Sequence, residues 1–184
     1  MNLPNKLSML RILMIPVFVI LALMNAPAAQ YAAVGVFVLA AITDALDGHI
    51  ARKNGLVTNF GKFIDPIADK LLVMSALVIL VESGRMASWV CIVMLAREFI
   101  ISGFRLVAAG NGTVIAAGKL GKLKTVFQMS ATVALMLLVP VTGEPLLGHF
   151  GVVLANVLTY IAALLTIVSG VEYIAKNFSC ISDM

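Results

Sequence analysis

The sequence predicts an all-α, polytopic membrane protein with six transmembrane helices and both termini in the cytoplasm. Three observations lead there. Of 184 residues, 61% are hydrophobic and only 12% charged, and the mean hydropathy is +1.07. Soluble domains carry roughly a quarter charged residues, so a chain this apolar lacks the polar surface to coat a globule. Its apolar residues gather into six runs, each approaching the ~20 residues needed to cross a bilayer. Its basic residues fall almost entirely on alternate connections between those runs.

The runs span about 7–24, 31–50, 64–81, 88–109, 123–139 and 152–175. Backbone groups in lipid must be satisfied within the segment. Nothing in the chain has the two-residue period of a membrane barrel, so each run is read as a helix. Lys6 and Arg11 precede the first run, and Ala26-Pro27-Ala28 resembles a small-residue cleavage site. Pro27 disfavours cleavage and further apolar segments follow, so the run is expected to stay as an uncleaved first helix. Turn-forming residues separate the runs at Asn25 to Pro27, Asn54-Gly55, Ser83-Gly84, Asn111-Gly112 and Thr142 to Pro145. No linker or low-complexity stretch interrupts them, and residues 1–184 read as one domain.

With the N-terminus inside, the cytoplasmic side collects Lys6, Arg11, Arg52, Lys53, Lys62, Arg105, Lys119, Lys122, Lys124 and Lys176. The outer loops hold Arg85. That asymmetry sets the orientation. The net charge of +4 does not make a nucleic-acid binder, because the basic residues punctuate apolar runs and form no tract. Cys91 and Cys180 are expected near opposite faces, too far apart for a disulfide. Trp89 and Tyr31 fit interfacial anchors, and the ten methionines fit packing or lipid-facing roles. Gly35, Gly103 and Gly170 could permit close helix packing, without marking a dimer face.

The chemistry concentrates between Asp44 and Asp69. The second run ends Asp44-Ala-Leu-Asp47-Gly48-His49-Ile-Ala51-Arg52, and after eight residues comes Gly61-Lys-Phe-Ile-Asp65-Pro66-Ile-Ala-Asp69. Asp44 and Asp47 are one helical turn apart, and Asp65 and Asp69 are four residues apart, so each pair shares a helical face. Pro66 either occupies a first turn capped by Asp65 or lies inside a helix begun near Asn59. Four carboxylates at a membrane interface repel one another and resist desolvation. Divalent cations remove that objection. Oxygen-only ligands suit Mg²⁺ or Mn²⁺ and not zinc. Two such ions about 4 Å apart would form the clamp used in phosphoryl transfer. Gly48 and Ala51 are small where a ligand must approach the backbone, and Arg52 offers a planar donor to phosphate oxygens. The bland reading pairs the aspartates with Arg52, Lys53 and Lys62 in a solvated loop. It leaves the spacing of all four unexplained. His49 is read as an interfacial side chain and not a ligand.

The pattern Asp-x2-Asp-Gly-x2-Ala-Arg-x8-Gly-x3-Asp-x3-Asp resembles the signature of the CDP-alcohol phosphotransferase family at every fixed position, and the six-helix topology agrees along the whole chain. The resemblance implies transfer of a phosphatidyl group from CDP-diacylglycerol to an acceptor hydroxyl, with release of CMP. It implies a homodimer in the bacterial cytoplasmic membrane, with the active site facing the cytoplasm. Asp44, Asp47 and Asp65 then become chiefly metal ligands, and Asp69 the candidate base beside them. Gly48, Ala51 and Arg52 become the CDP-lipid-binding positions.

Within the family, Gly61 to Lys70, Arg97-Glu98-Phe99 with Arg105, and Pro4-Asn5…Ser8…Arg11 look most like members whose acceptor is glycerol 3-phosphate. An acceptor carrying its own phosphate needs cations near the metal site. Arg105, Lys119 and Lys124 are the candidates, with Arg97 deeper in the fourth run. Arg97 and Glu98 lie where unpaired charge is expensive, and the alternative role for them is a buried ion pair that staples helices. The lysines alternatively serve only as positive-inside flanks. Other acceptors, inositol phosphate or serine, remain open. A rival from another class is a divalent-cation transporter, whose carboxylates would sit nearer the midplane between broken helices. A non-enzymatic scaffold would leave the aspartate pattern without a purpose.

Overall fold

The computed structural model describes residues 3–54, 59–110, 115–116, 118–141 and 143–178, with side chains at all of these except 3–7, 44–54, 59–66 and 69. Six helices account for nearly all of it: α1 (Leu3–Leu23), α2 (Pro27–Asn54), α3 (Asn59–Glu82), α4 (Ser88–Gly110), α5 (Lys119–Leu138) and α6 (Gly148–Asn177). No strand occurs among the described residues.

The helices outrun the apolar segments in an instructive way. α2 starts at Pro27, a residue suited to the first helical turn because its missing N–H has no partner there anyway. It then continues through the charged stretch to Asn54. α3 starts at Asn59, so Pro66 lies inside the helix and not in its first turn. Hydropathy marks only the apolar part of a helix, and these polar turns carry none of that signal.

The helices form two groups. α1 packs on α2 and α3, and α6 packs on both α4 and α5. α2 and α3 meet α5, and α3 also meets α4, which joins the groups into one bundle. Phe18 of α1 and Phe37 of α2 are fully buried with ring centroids 5.6 Å apart. Elsewhere the helices meet over small side chains: Ala33, Ala40, Ala76, Ala131, Ala155 and Ala162 are all buried. Small residues let helix backbones approach where no water drives association.

The outside of the bundle is apolar. Leu13, Ile20, Leu39, Ile92, Leu106, Val126, Leu164 and Val171 are all exposed. Among the described residues, α6 alone is long and apolar enough by itself to cross a membrane, while α1 and α2 contribute the shorter apolar stretches Ser8–Leu23 and Pro27–Thr43. Only a third of the most apolar part of α6 is buried, so its hydrophobicity faces outward. Trp89 and Tyr31 are both about half exposed, and Trp89 stacks on Tyr160 at 6.1 Å.

The connection between α3 and α4 is a tight turn in which Gly84 takes φ +70°, a conformation that favours glycine. Arg85 in this turn is buried. It donates through Nε to Ser83 Oγ (2.8 Å) and through Nη1 to the carbonyl of Val139 (3.4 Å), the C-cap of α5. Burial lowers its pKa, while the carbonyl end of α5 favours a cation at this position. Cys91 is buried and free. Cys180, Asn111-Gly112 and Gly55 lie outside the described residues.

Candidate active site

The aspartates sit where two consecutive helices meet. Asp44 and Asp47 belong to the second half of α2, and Asp65 and Asp69 to the first half of α3. Asp44 lies ten positions before the end of α2, and Asp69 ten positions after the start of α3. With 1.5 Å of rise per residue, each backbone position is ~15 Å from its helix end. α2 and α3 both pack on α1 and also touch each other. The side chains of Asp44, Asp47, Asp65 and Asp69, and those of Gly48 to Arg52, lie outside the described residues. Among the described residues no other group of three acidic, histidine or cysteine side chains comes together. A metal reading therefore rests on these four positions.

Next to them, α3 to α6 carry a continuous polar network. The carboxylate of Glu98 accepts from Arg97 Nη1 (3.2 Å) and from Lys124 Nζ. Lys124 is almost completely buried, and Glu98 about a quarter exposed. Removing one partner of such a buried pair costs about 3–5 kcal/mol, because the other charge is stranded. Arg97 Nη2 also donates to Ser169 Oγ of α6 at 3.4 Å. Its Nε is buried without a hydrogen-bond partner. Glycines make its path: a Cβ at Gly121 would lie 3.3 Å from Arg97 Nη2, and one at Gly170 3.3 Å from its Cγ. Arg105, one face-repeat along α4 from Glu98, donates through Nε to the Tyr173 hydroxyl (3.1 Å) and lies over that ring at 5.3 Å from its centroid.

Two cavities open on this network. One, of about 450 Å³, is lined by Arg97, Arg105, Lys119, Ser169, Tyr173 and Lys176, among others. The other, of about 540 Å³, is lined by Lys70, Arg97, Glu98, Ser102, Arg105 and Lys122, among others. Arg97 and Arg105 belong to both. Three of the four acceptor-site candidates, Arg97, Arg105 and Lys119, therefore share one cavity. Lys124 lines instead a small internal cavity with Lys70, Glu98 and Gln128. Its charge is directed at Glu98. The stapling role considered for Glu98 is thus present, but its staple is Lys124 and Arg97 and not Arg105.

The sequence did not single out Ser102, Ser169 or Tyr173. Ser102 is one turn from Glu98, and Ser169 and Tyr173 are one turn apart at the polar end of α6. That spacing was available, but no periodicity tells which helix a serine on an apolar span will face.

Residues 1–168, most of the chain and all four aspartates, match the model of the CDP-alcohol phosphatidyltransferase family. The chain belongs to that family. It is 44% identical to the CDP-diacylglycerol–glycerol-3-phosphate 3-phosphatidyltransferase of Bacillus subtilis (strain 168), over 98% of this chain and 97% of the relative. It is 42% identical to the protein of the same description from Rickettsia typhi, over 94% of each chain. A probable phosphatidylglycerophosphate synthase of Mycobacterium tuberculosis (strain ATCC 25618 / H37Rv) is also 42% identical, over 95% of this chain and 81% of the relative. The match covers the aspartate pattern together with Arg97, Glu98, Arg105, Lys119 and Lys124.

Proposed function

We propose that this protein transfers the phosphatidyl group of CDP-diacylglycerol to glycerol 3-phosphate, giving phosphatidylglycerophosphate and CMP. The observation that supports the reading is the aspartate pattern carried on the consecutive helices α2 and α3, in a chain of this family that also has a cation-lined cavity reached by Lys70 of α3. Near full-length similarity to relatives described as glycerol-3-phosphate phosphatidyltransferases supports the choice of acceptor.

In this reading Asp44, Asp47, Asp65 and Asp69 hold divalent cations, Mg²⁺ or Mn²⁺, two in number. Four oxygen donors at helical spacings on two consecutive helices fit hard ions. When bound, such ions neutralise the pyrophosphate and polarise its phosphoryl oxygens. Arg52 binds the CDP phosphates with donors in a fixed plane, and Gly48 and Ala51 leave room for the nucleotide. Asp69 takes the proton of the acceptor hydroxyl. A bond forms between that oxygen and the β-phosphorus, the bridging bond to the α-phosphate breaks, and CMP leaves. Arg105 and Lys119, with Arg97 behind them, bind the acceptor's phosphate, and Lys124 supports them through Glu98.

The acceptor assignment is tested by Arg105→Gln. A charge-assisted contact contributes on the order of 1.5–3 kcal/mol, or roughly ten- to a hundredfold in affinity. The KM for glycerol 3-phosphate rises by that factor, and the KM for CDP-diacylglycerol stays level. Equal changes in both would remove Arg105 from the acceptor site.

The same reading places residues 1–184 in the bacterial cytoplasmic membrane as one domain with six spans, a homodimer with both termini and the active site on the cytoplasmic side. The apolar exterior and the one-sided basic residues support it. An impermeant thiol label added outside modifies a cysteine placed at Ser83 or Glu144, and spares one at Lys122. The reverse pattern overturns the orientation. A detergent-corrected mass of a single chain overturns the dimer. A transporter would need its carboxylates near the midplane of broken helices, whereas Asp47 and Asp65 stand within two turns of the ends of unbroken ones.

A further inference from the structure

We infer that Lys70 is an additional ligand for the phosphate of the acceptor, a specificity residue presented on α3 beside the aspartates. The inference rests on the reading of the reaction given above. Lys70 follows Asp69 directly, so it stands at the level of the aspartates, a step of ~100° around the helix. That step turns it toward α4. There its Nζ donates to Ser102 Oγ. The single hydroxyl proton of Ser102 is already given to the carbonyl of Glu98 at 2.6 Å, so the serine can only accept from the lysine. An ammonium has three donors and no acceptor. Ser102 takes one, orients the head group and leaves its charge intact.

The charge balance of the 540 Å³ cavity gives this lysine its purpose. Among the described residues its cations are Lys70, Arg97, Arg105 and Lys122, and the acid lining it is Glu98. Glu98 is occupied by Arg97 and Lys124. Among the described residues the hydrogen-bond partners of Lys70 and Arg105 are neutral hydroxyls, Ser102 and Tyr173. Lys70 is half-buried and Arg105 exposed. A half-buried cation such as Lys70, whose partner is a hydroxyl, is poorly compensated in an apolar bundle, and an anion entering the cavity compensates it. The volume lies within the ~300–1,000 Å³ of small-molecule sites. Arg105 reaches the cavity from α4 and Lys70 from α3, so a phosphate between them meets cations from two helices.

A pure staple between α3 and α4 would use Lys70 for stability alone, and kinetics separate the two roles. Full-length protein is assayed for CMP release with CDP-diacylglycerol and either glycerol 3-phosphate or uncharged glycerol. In Lys70→Met the KM for glycerol 3-phosphate rises roughly ten- to a hundredfold, the gain expected from one charge-assisted contact. The KM for CDP-diacylglycerol, and any release of CMP with glycerol, stay as in wild type. Lys70→Arg, which keeps the charge, recovers most of the loss. Ser102→Ala, which keeps the lysine and frees its head group, gives a smaller rise and serves equally if Lys70→Met does not accumulate. An unchanged KM for glycerol 3-phosphate in these variants, or equal losses with glycerol, overturns the assignment. Wild-type protein run alongside separates the claims. If it makes no product from glycerol 3-phosphate, the reading of the reaction falls and Lys70 with it; if it does, only Lys70 is at stake.

Discussion

Asp47→Asn should abolish CMP release while the protein still folds and inserts. The substitution removes a charge at nearly constant shape, so its effect falls on cation binding and not on packing. Polarisation of a phosphoryl group by metal is worth several kcal/mol, and about 4 kcal/mol corresponds to a rate loss of about a thousandfold. Asp44→Asn and Asp65→Asn should behave alike, and chelation of divalent ions should match them in the wild-type protein. Readdition of Mg²⁺ or Mn²⁺ restores only the wild type. The check is CMP release beside thermal unfolding in detergent. An Asp47→Asn protein with wild-type turnover in Mg²⁺ would end the metal model.

The second large effect separates chemistry from binding. General-base catalysis contributes about 10²–10⁴-fold, so Asp69→Asn should lower kcat by that order while the CDP head group still binds. Arg52→Ala should instead weaken CDP binding, roughly ten- to a hundredfold for a lost charge-assisted contact. The two are compared by single-turnover rate and by binding of CDP at equilibrium. Similar losses of CDP binding in both variants would defeat the division of roles. A pH profile would not decide it, because four neighbouring carboxylates titrate as a unit.

What the sequence made legible follows from what its patterns encode. Apolar runs announced six helices, and all six are present. They did not announce that α2 runs on through Asp44 and Arg52 to Asn54. For α3 the sequence left two starts open, and the structure has the one near Asn59, with Pro66 inside the helix. Those turns are polar, and hydropathy is silent on them. The aspartate spacing was readable as helical geometry from the residues alone, because separations of three and four fix a face. Pairing between helices was not readable. Nothing in Glu98 or Lys124 alone says that they meet across α4 and α5, nor that Arg105 finds Tyr173 and not Glu98. Such pairs depend on how the helices are rotated against each other, and small residues such as Gly121 and Gly170 set that rotation at Arg97.

The most direct test of the account is CMP release from CDP-diacylglycerol by the purified protein in lipid–detergent micelles with Mg²⁺. It is measured with glycerol 3-phosphate, inositol phosphate and serine in parallel, and with Mg²⁺ withheld. The account predicts release that requires the metal and is fastest, by at least tenfold, with glycerol 3-phosphate, with phosphatidylglycerophosphate as the lipid product. Release that persists without divalent ions, or that proceeds with serine and not with glycerol 3-phosphate, would contradict it.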